Sequence, residues 1–335
     1  MPTTVYATME AVDQAYYDRK LLVRATPELV HAEFGQDRKL PTKSTKTIMF
    51  RRWEALAVAT TALTEGVTPV GSSLSKTDIT ATVSQYGDYV TVSDILTWTS
   101  RDEVLNEAAD VLGEQAGQSI DQIARDILVA GTSVFCLTDD VGASDTTRTN
   151  VDGLINAVAI NKALRLLQNN NAKYFTKMIK PGQGVGTSAI LPAFWGIISP
   201  WTFYTLRGIS GFTSVKDYPS QQEVMKQEVG SYRELRLVMS THAKFFPDAG
   251  ANVASGHKTT TGTKEDVYAT LIFAMNAYGK IPLTGHAMEM ISKPLGSGGT
   301  EDPLNQRATS GWKAAQTFKI LNNNFMTRLE HGVLA

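Results

Sequence analysis

The stretch Ser100-Arg-Asp-Glu-Val-Leu-Asn-Glu-Ala-Ala-Asp-Val-Leu-Gly-Glu-Gln-Ala-Gly-Gln-Ser-Ile-Asp-Gln-Ile-Ala-Arg-Asp-Ile-Leu-Val-Ala-Gly131 carries the strongest structural pattern in the chain. It opens with Ser100 and Glu103, which have the spacing of a capping box. In this motif a serine oxygen and a Glu carboxylate accept hydrogen bonds from exposed backbone amides at the start of a helix. Apolar or small residues recur every three or four positions from Val104 to Leu128, and Gly131 follows where a helix commonly ends. The pattern predicts a helix of about 30 residues, roughly 45 Å long.

Upstream of this helix the sequence predicts a long β-hairpin. Thr47–Trp53 is rich in β-formers, and Ile79–Ser84 alternates apolar residues with Thr and Ser, as a strand with one apolar face does. Gly87 predicts a bulge before the strand resumes at Tyr89–Ser93. The segment Leu63–Gly71 between the two strands is rich in turn formers. We expect so long a hairpin to have few partners within its own chain. The tip residues would be Glu65, Gly66, Val67 and Pro69.

The rest of the chain mixes short helices and strands. The first 40 residues carry mixed charge and scattered apolar positions, which predicts one or two short helices without a core, an arm that lies on another surface. Leu154–Gln168 predicts a helix. Strands are predicted at Ala189–Tyr204, Leu235–Ser240 and Val267–Ala274, with one or two closing strands in Phe318–Glu330. Because helices and strands do not strictly alternate, the fold class is α+β.

Composition limits the classes of protein to which the chain can belong. With 335 residues, it exceeds the roughly 250–300 residues at which a single core stops growing, so we expect two packed units or one domain with long extensions. A formal net charge of −1 disfavours tight, salt-sensitive binding along nucleic acid. The apolar stretches fall short of the about 18–20 residues that cross a membrane, and the N-terminus lacks a signal peptide. We therefore expect no membrane partner and a cytoplasm-like compartment.

A search for catalytic and binding motifs gives no enzyme class. A single cysteine, Cys136, excludes an intramolecular disulfide framework and a multi-cysteine zinc site, and its apolar neighbours favour a buried, unreactive thiol. Gly182–Gly186 resembles part of a dinucleotide loop, but no acidic residue follows about 20 positions later, which favours an ordinary loop. The five histidines form no H-x-x-x-H pair, and neither a G-x-S-x-G elbow nor a phosphate-binding loop with its lysine occurs. We predict no enzyme activity, no cofactor and no metal.

Two segments have opposite charge. Gln36–Arg52 holds six cations and one carboxylate, whereas Arg101–Ala130 holds seven carboxylates and two cations. We expect the basic segment to lie across the acidic helix of an adjacent copy, where charges set register and encounter rate. The basic contact residues would be Arg38, Lys39, Lys43, Lys46, Arg51 and Arg52. The acidic contact residues would be Asp102, Glu103, Glu107, Asp110 and Glu114.

Seven segments in this order resemble the major capsid proteins of tailed bacteriophages, in the branch typified by the coliphage N-four coat protein. They are Leu63–Pro69, Val83–Asp88, Asp126–Thr132, Val229–Arg236, Asp302–Gln306, Gly311–Lys313 and Ile320–Glu330. The resemblance implies a Hong-Kong-97-like fold, in which an N-terminal arm and an extended hairpin, the E-loop, accompany a peripheral and an axial domain. The implied divisions are an arm at 1–45, an E-loop at 46–95, a peripheral domain at 96–150 with its spine helix at 100–131, an axial domain at 151–284, and C-terminal strands at 285–335 that complete the peripheral domain.

The resemblance also implies a function. Such subunits self-assemble in the host cytoplasm into hexamers and pentamers, which form the icosahedral head of the virion. The head encloses double-stranded DNA without sequence-specific binding. The resemblance implies a portal protein and leaves open whether a decoration protein binds. Met1 resembles an initiator methionine, which favours a separate scaffolding protein over a large N-terminal segment that is cleaved off. The alternatives are an encapsulin-type protein compartment, which shares the fold, and a soluble enzyme with a site built from distant residues. The order of the motifs favours the phage capsid.

Overall fold

The computed structural model describes residues 29–43, 45–54, 56–99, 104–139, 143–176, 191–219, 224–298 and 302–335. The helices in this part of the chain are α1 Asp94–Thr99, α2 Val104–Val129, α3 Ala157–Asn169 and α4 Pro200–Arg207. The strands are β1 Gln36–Asp37, β2 Thr47–Trp53, β3 Lys76–Thr82, β4 Ser84–Ser93, β5 Val134–Leu137, β6 Ser144–Asp145, β7 Phe194–Ile198, β8 Phe212–Ser214, β9 Glu228–Tyr232, β10 Leu235–Met239, β11 Phe245–Phe246, β12 Val267–Phe273, β13 Tyr278–Pro282, β14 Glu289–Lys293, β15 Arg307–Ile320 and β16 Met326–His331.

The strands form two larger sheets and one separate ribbon. The nine-stranded sheet has the order β6-β5-β16-β12-β7-β10-β9-β8, with β11 paired to β12. The five-stranded sheet has the order β1-β13-β15-β14, with β4 paired to β15 along ten residue pairs. The ribbon consists of β2 and β3 alone and is the predicted hairpin, with Thr47 opposite Thr82 and Trp53 opposite Lys76.

Helix α2 lies against both larger sheets. Its buried apolar residues form one stripe, which includes Ala109, Leu112, Ala116, Ile120, Ala124 and Leu128. The stripe shares one apolar core with Trp195 and Phe273 of the nine-stranded sheet and with Trp312 of the five-stranded sheet. The predicted long helix is thus present over 26 described residues. The predicted capping box, Ser100 to Glu103, lies outside the described residues.

The nine-stranded sheet has helices on opposite faces. Along β7, Trp195 and Ile197 pack into the core that contains α2, whereas Phe194 and Ile198 pack into a second core with α3 and α4. This alternation follows from the two-residue period of a strand. The predicted helix Leu154–Gln168 is found as α3, which starts later because the Asn156 side chain accepts a hydrogen bond from the Ala159 amide and caps it.

The N-terminal part of the described chain is not a free arm, and the expectation that the first 40 residues contribute no core is wrong for residues 30–34. Val30, Ala32 and Phe34 are buried beside α2. The Phe34 ring lies 5.2 Å from Trp195 and 5.7 Å from Phe273, between centroids. Five residues are too few to show a periodic pattern, so this burial was not predictable from the sequence. Residues 1–28 lie outside the described part.

One predicted local feature is also wrong, and another is right only in part. Gly87 is not a bulge, because β4 pairs with β15 in continuous register through Gly87 and Lys313. A glycine is required there because a Cβ would lie 2.5 Å from the Trp312 carbonyl oxygen. The predicted strand Ala189–Tyr204 stops at Ile198, since Ser199 and Pro200 start α4, a common N-cap and first-turn pair.

Each of the two larger sheets combines strands from more than one of the segments expected from the resemblance. Strand β13, inside the expected axial segment 151–284, pairs with β15 in the five-stranded sheet. Strand β16, inside the expected C-terminal segment 285–335, pairs with β12 and β5 in the nine-stranded sheet. The C-terminal segment therefore contributes a strand to each sheet.

Candidate assembly surfaces

The hairpin tip, residues 56–75, is exposed at every position. It contains a single charged residue, Glu65. Its large apolar side chains include Val58 at 85% exposure and Val70 at 99%. A turn closes the tip, with the Val67 amide donating to the Thr64 carbonyl at 3.2 Å and Gly66 at a φ of 76°, a conformation that favours glycine. An apolar segment with so little charge is typical of a contact surface.

The root of the hairpin, in contrast, is anchored in its own subunit. Phe50, Ala81 and Val83 are buried with Ile281 and Ala315 of the five-stranded sheet. The expectation of few intrachain partners therefore holds for the tip and not for the root. Beyond the pair of Phe50 and Ile79, three further residue pairs of ribbon at about 3.3 Å per residue carry the chain about 10 Å from this anchor before the tip begins.

Two of the predicted basic contact residues already have partners within the hairpin. Arg51 Nε donates to Asp78 Oδ1 at 2.8 Å, and Arg52 Nη2 donates to Glu54 Oε1 at 2.9 Å. The hydrogen bond from Arg51 lowers the pKa of the Asp78 carboxyl. Both arginines are therefore compensated locally. For Arg51 the sequence did not reveal this, because Asp78 lies 27 positions away.

The remaining predicted cations lie near the hairpin root. The Arg38 guanidinium lies 5.5 Å from the centre of the Phe50 ring. Lys43 and Lys46 border an open groove of about 840 Å³ whose floor includes Val83 and Ala315. Lys39, Lys43 and Lys46 form no ion pair with any residue that the structure describes. These exposed charges are available to another molecule.

The predicted acidic contact residues are only partly described. Glu107 and Glu114 are exposed on α2 and Asp110 is half-buried between them, one and two turns apart on one side of the helix. Asp102 and Glu103 lie outside the described residues. The contact between the basic and acidic sets stays a prediction.

Sequence reasoning missed one exposed apolar cluster at the end of the five-stranded sheet. Ile95 and Trp98 on α1 are 65% and 73% exposed, and Leu304 is 75% exposed. The Asp94 amide donates to the Gln306 carbonyl at 3.0 Å, which brings α1 beside the loop that carries Leu304. The spacing of Ile95 and Trp98 places them on one helix face, a signal that was readable in the sequence.

The structure describes Cys136, one of the two sites whose chemistry was predicted from local sequence. Cys136 is fully buried, and burial together with the Glu330 carboxylate raises the pKa of its thiol to about 12, as an unreactive thiol requires. The glycine-rich stretch Gly182–Gly186 lies outside the described residues. Helices in the described part are too short or too polar to cross a membrane.

Solved phage capsids have the same fold. The capsid of Ralstonia phage GP4 superposes with a TM-score of 0.63 at 12% identity, over 91% of this chain and 89% of that one. The cyanophage Pam1 capsid gives 0.60 at 13% identity, over 93% and 92%. The capsid of cyanophage P-SCSP1u gives 0.59 at 15% identity, over 90% and 88%. These matches confirm the α+β, Hong-Kong-97-like capsid fold expected from the sequence.

Sequence comparison leads to the same family. None of the curated proteins matches the chain significantly. Residues 76–325 match the family described as phage capsid protein, a span that includes β3, α2 and most of both larger sheets. This match favours a phage head over the encapsulin-type alternative. The chain belongs to the phage capsid protein family.

Proposed function

We propose that this chain is the major coat subunit of a tailed, double-stranded DNA phage, and that its copies close into hexamers and pentamers of an icosahedral head. Membership of the phage capsid family and the capsid fold support this function. Head-to-tail contacts that close by rotation generate such rings. The role is structural, without a catalytic step, cofactor or metal.

The observation that carries the proposal is the uncovered hairpin tip. Its apolar residues are exposed in the isolated subunit, and its own ribbon keeps it away from the body of that subunit. A neighbouring copy is the partner that a self-assembling shell supplies at every position. Each copy then both donates a tip and receives one, so contacts that are weak alone become strong when many form together.

A second contact would join opposite charges between copies. The exposed Arg38, Lys39, Lys43 and Lys46 would lie against Glu107, Asp110 and Glu114 on helix α2 of the neighbour, with Asp102 and Glu103 extending the acidic side. Arg51 and Arg52 would contribute less, since Asp78 and Glu54 already pair with them. Exposed pairs of this kind set register more than affinity.

The remaining parts of the proposal follow from the family resemblance. Residues 1–45 would act as an arm that is fixed to its own subunit at residues 30–34, and 46–95 would act as the E-loop. Residues 96–150 and 285–335 would form most of the peripheral domain and 151–284 most of the axial domain, with β13 and β16 exchanged between the two sheets. Assembly in the host cytoplasm would use a separate scaffolding protein and a portal. The shell would enclose DNA without reading its sequence.

Electron microscopy of the expressed protein tests the proposal. Wild type should form closed shells, alone or with its scaffolding protein, whereas the tip variant Val58→Ser/Val70→Ser should remain as folded, unassembled subunits. The matched control Ser72→Thr/Ser73→Thr changes the same tip without removing apolar surface and should assemble normally. Shells of normal yield from the Val58→Ser/Val70→Ser variant would overturn the role of the tip, and small discrete oligomers from wild type would overturn the capsid function.

A further inference from the structure

One long segment of the chain contains no carboxylate side chain. Between Gly153 and Lys216 there are seven lysines and arginines and no Asp or Glu. At the average frequency of acidic residues in the chain, about six would be expected in a stretch of this length. The near-neutral charge of the whole protein therefore conceals a strong local asymmetry.

The structure places the two described helices of this segment on one side of the nine-stranded sheet. Helices α3 and α4 both pack on the same face, through a core that includes Ile160, Leu164 and Leu206. Their outer sides expose Arg165 and Arg207, and Lys173 is exposed just after α3. Glu234, from the turn between β9 and β10, accepts a hydrogen bond from Gln168 of α3, and Arg233 beside it balances its charge. We call this side the basic face.

The opposite side of the same sheet carries α2, which has the reverse charge. Glu107 and Glu114 are exposed there, on the side of α2 turned away from the core. The sheet thus separates an acidic helix from two helices without any carboxylate. A subunit built into a wall in this way would present the two helices without carboxylates to one of the two spaces that the wall divides.

We infer that the basic face is the side of the shell that faces the enclosed duplex DNA, and that Arg165, Lys173 and Arg207 contact its phosphates. The inference rests on the proposed function, since it requires a shell that holds DNA. Phosphate contacts need cations and amide donors and do not need a shaped pocket. The exposed side of α3 offers these groups in Arg165 and the Asn169 amide.

The same features favour DNA over a protein partner. Specific protein interfaces bury an apolar centre surrounded by polar groups. The large hydrophobic side chains exposed on the two helices are Val158, near the first turn of α3, and Trp201 and Tyr204 of α4, and these two rings carry an N–H and an O–H group that can donate to a phosphate. With few cations per copy, each contact would be weak and sensitive to salt, so DNA could be held at the wall and still leave.

Binding of a short, labelled duplex DNA of random sequence to the unassembled subunit tests the inference. At an ionic strength of about 0.01 M, where screening extends to about 30 Å, wild type should bind, and its affinity should fall steeply as salt is added. In the variant Arg165→Gln/Arg207→Gln the slope of log affinity against log salt should decrease by about 1.8, or about 0.9 per lost phosphate contact. The matched control Lys293→Gln/Lys319→Gln removes two exposed lysines from the five-stranded sheet and should retain the wild-type slope.

Three results would overturn the inference: no DNA binding by wild type, an equal loss in the Lys293→Gln/Lys319→Gln control, or binding of polyglutamate in preference to DNA. Electron microscopy of the same samples separates this outcome from a failure of the capsid function. If shells form normally and the Arg165→Gln/Arg207→Gln variant keeps the wild-type slope of log affinity against log salt, the DNA contact of the basic face is refuted and the capsid function stands. Subunits that never form shells would refute the proposed function.

Discussion

His31 Nδ1 lies 2.6 Å from Asp121 Oδ2, and both side chains are fully buried. The same carboxylate accepts the His31 backbone amide through Oδ1 at 2.6 Å, and the Tyr278 hydroxyl donates to the His31 carbonyl oxygen. The residues next to this group on the chain pack into the core shared by both sheets. Asp121 therefore fixes the N-terminal segment to the middle of α2 and, through Tyr278, to the five-stranded sheet.

Removal of the Asp121 carboxylate should destabilise the subunit strongly. Asp121→Ala leaves the His31 ring and backbone amide buried without acceptors, and breaking a buried pair in this way costs about 3–5 kcal/mol. Chemical denaturation should show this loss in the free energy of unfolding. Asp126→Ala, which removes an exposed carboxylate from the same helix, should cost less than about 1 kcal/mol. Equal losses in the two variants would contradict the anchoring role of Asp121.

The Phe34 side chain should behave as a core residue although it precedes every long element. It contacts Phe175, Trp195 and Phe273, so Phe34→Ala should lower the free energy of unfolding by about 3–5 kcal/mol. Tyr204→Ala, at a ring that is 72% exposed, is the matched control and should change stability by less than about 1 kcal/mol. A stability loss below that of the control would mean that residues 29–34 are not part of the folded core in solution.

Patterns that repeat along the chain made the main elements predictable. Helix α2 was found because its apolar period repeats several times, and the hairpin was found because Ile79–Ser84 alternates apolar and polar residues opposite the β-forming segment Thr47–Trp53. The fold family followed from the order of short segments, which the capsid structures confirm. Local start signals were also present for α4 at Ser199-Pro200, but the apolar run before them concealed the change from strand to helix.

Features that depend on distant pairing were not predictable. The role of Phe34 depends on Trp195 and Phe273, more than 150 positions away, and the glycine at 87 depends on the Trp312 carbonyl. The pairing of Arg51 with Asp78 likewise requires the hairpin register. Charge counts along the sequence therefore overstated the basic contact set, because they could not subtract partners that the fold brings together.

Cys136 should be inert in the folded subunit. Burial and the nearby Glu330 carboxylate raise the pKa of its thiol to about 12, so almost no thiolate is present near neutral pH. A disulfide reagent should modify wild type only at the rate of unfolding and rapidly in denaturant. In the variant Cys136→Ala/Ser72→Cys, the new thiol lies on the exposed hairpin tip and should react at once without denaturant. Fast labelling of native wild type would contradict the burial of Cys136.

His331 should make the stability of the subunit depend on pH. The ring is fully buried, with Nδ1 donating to the Gly332 carbonyl at 2.7 Å and Nε2 placed to accept from Thr270 Oγ1 at 3.0 Å, an arrangement that requires the neutral form. Burial lowers the pKa of His331 from 6.5 to about 4. Between these two values the unfolded chain binds a proton that the folded chain does not, so stability falls as the pH is lowered through this window.

The loss from His331 alone should reach about 2 kcal/mol between about pH 7 and about pH 5. Denaturation of wild type and His331→Gln at both pH values measures it. The variant should be less stable at neutral pH because its packing is altered, but its stability should fall by about 2 kcal/mol less on acidification. His286→Gln, at a histidine whose side chain is 53% exposed, should retain the wild-type dependence. Burial raises the pKa of Glu330, but its hydrogen bonds to Arg148 outweigh this effect and hold the pKa below its usual value. Protonation of Glu330 in acid therefore also destabilises the subunit, so the contribution of His331 is measured as the difference between the variants. An identical pH dependence in wild type and His331→Gln would mean that His331 is accessible to protons in the folded subunit.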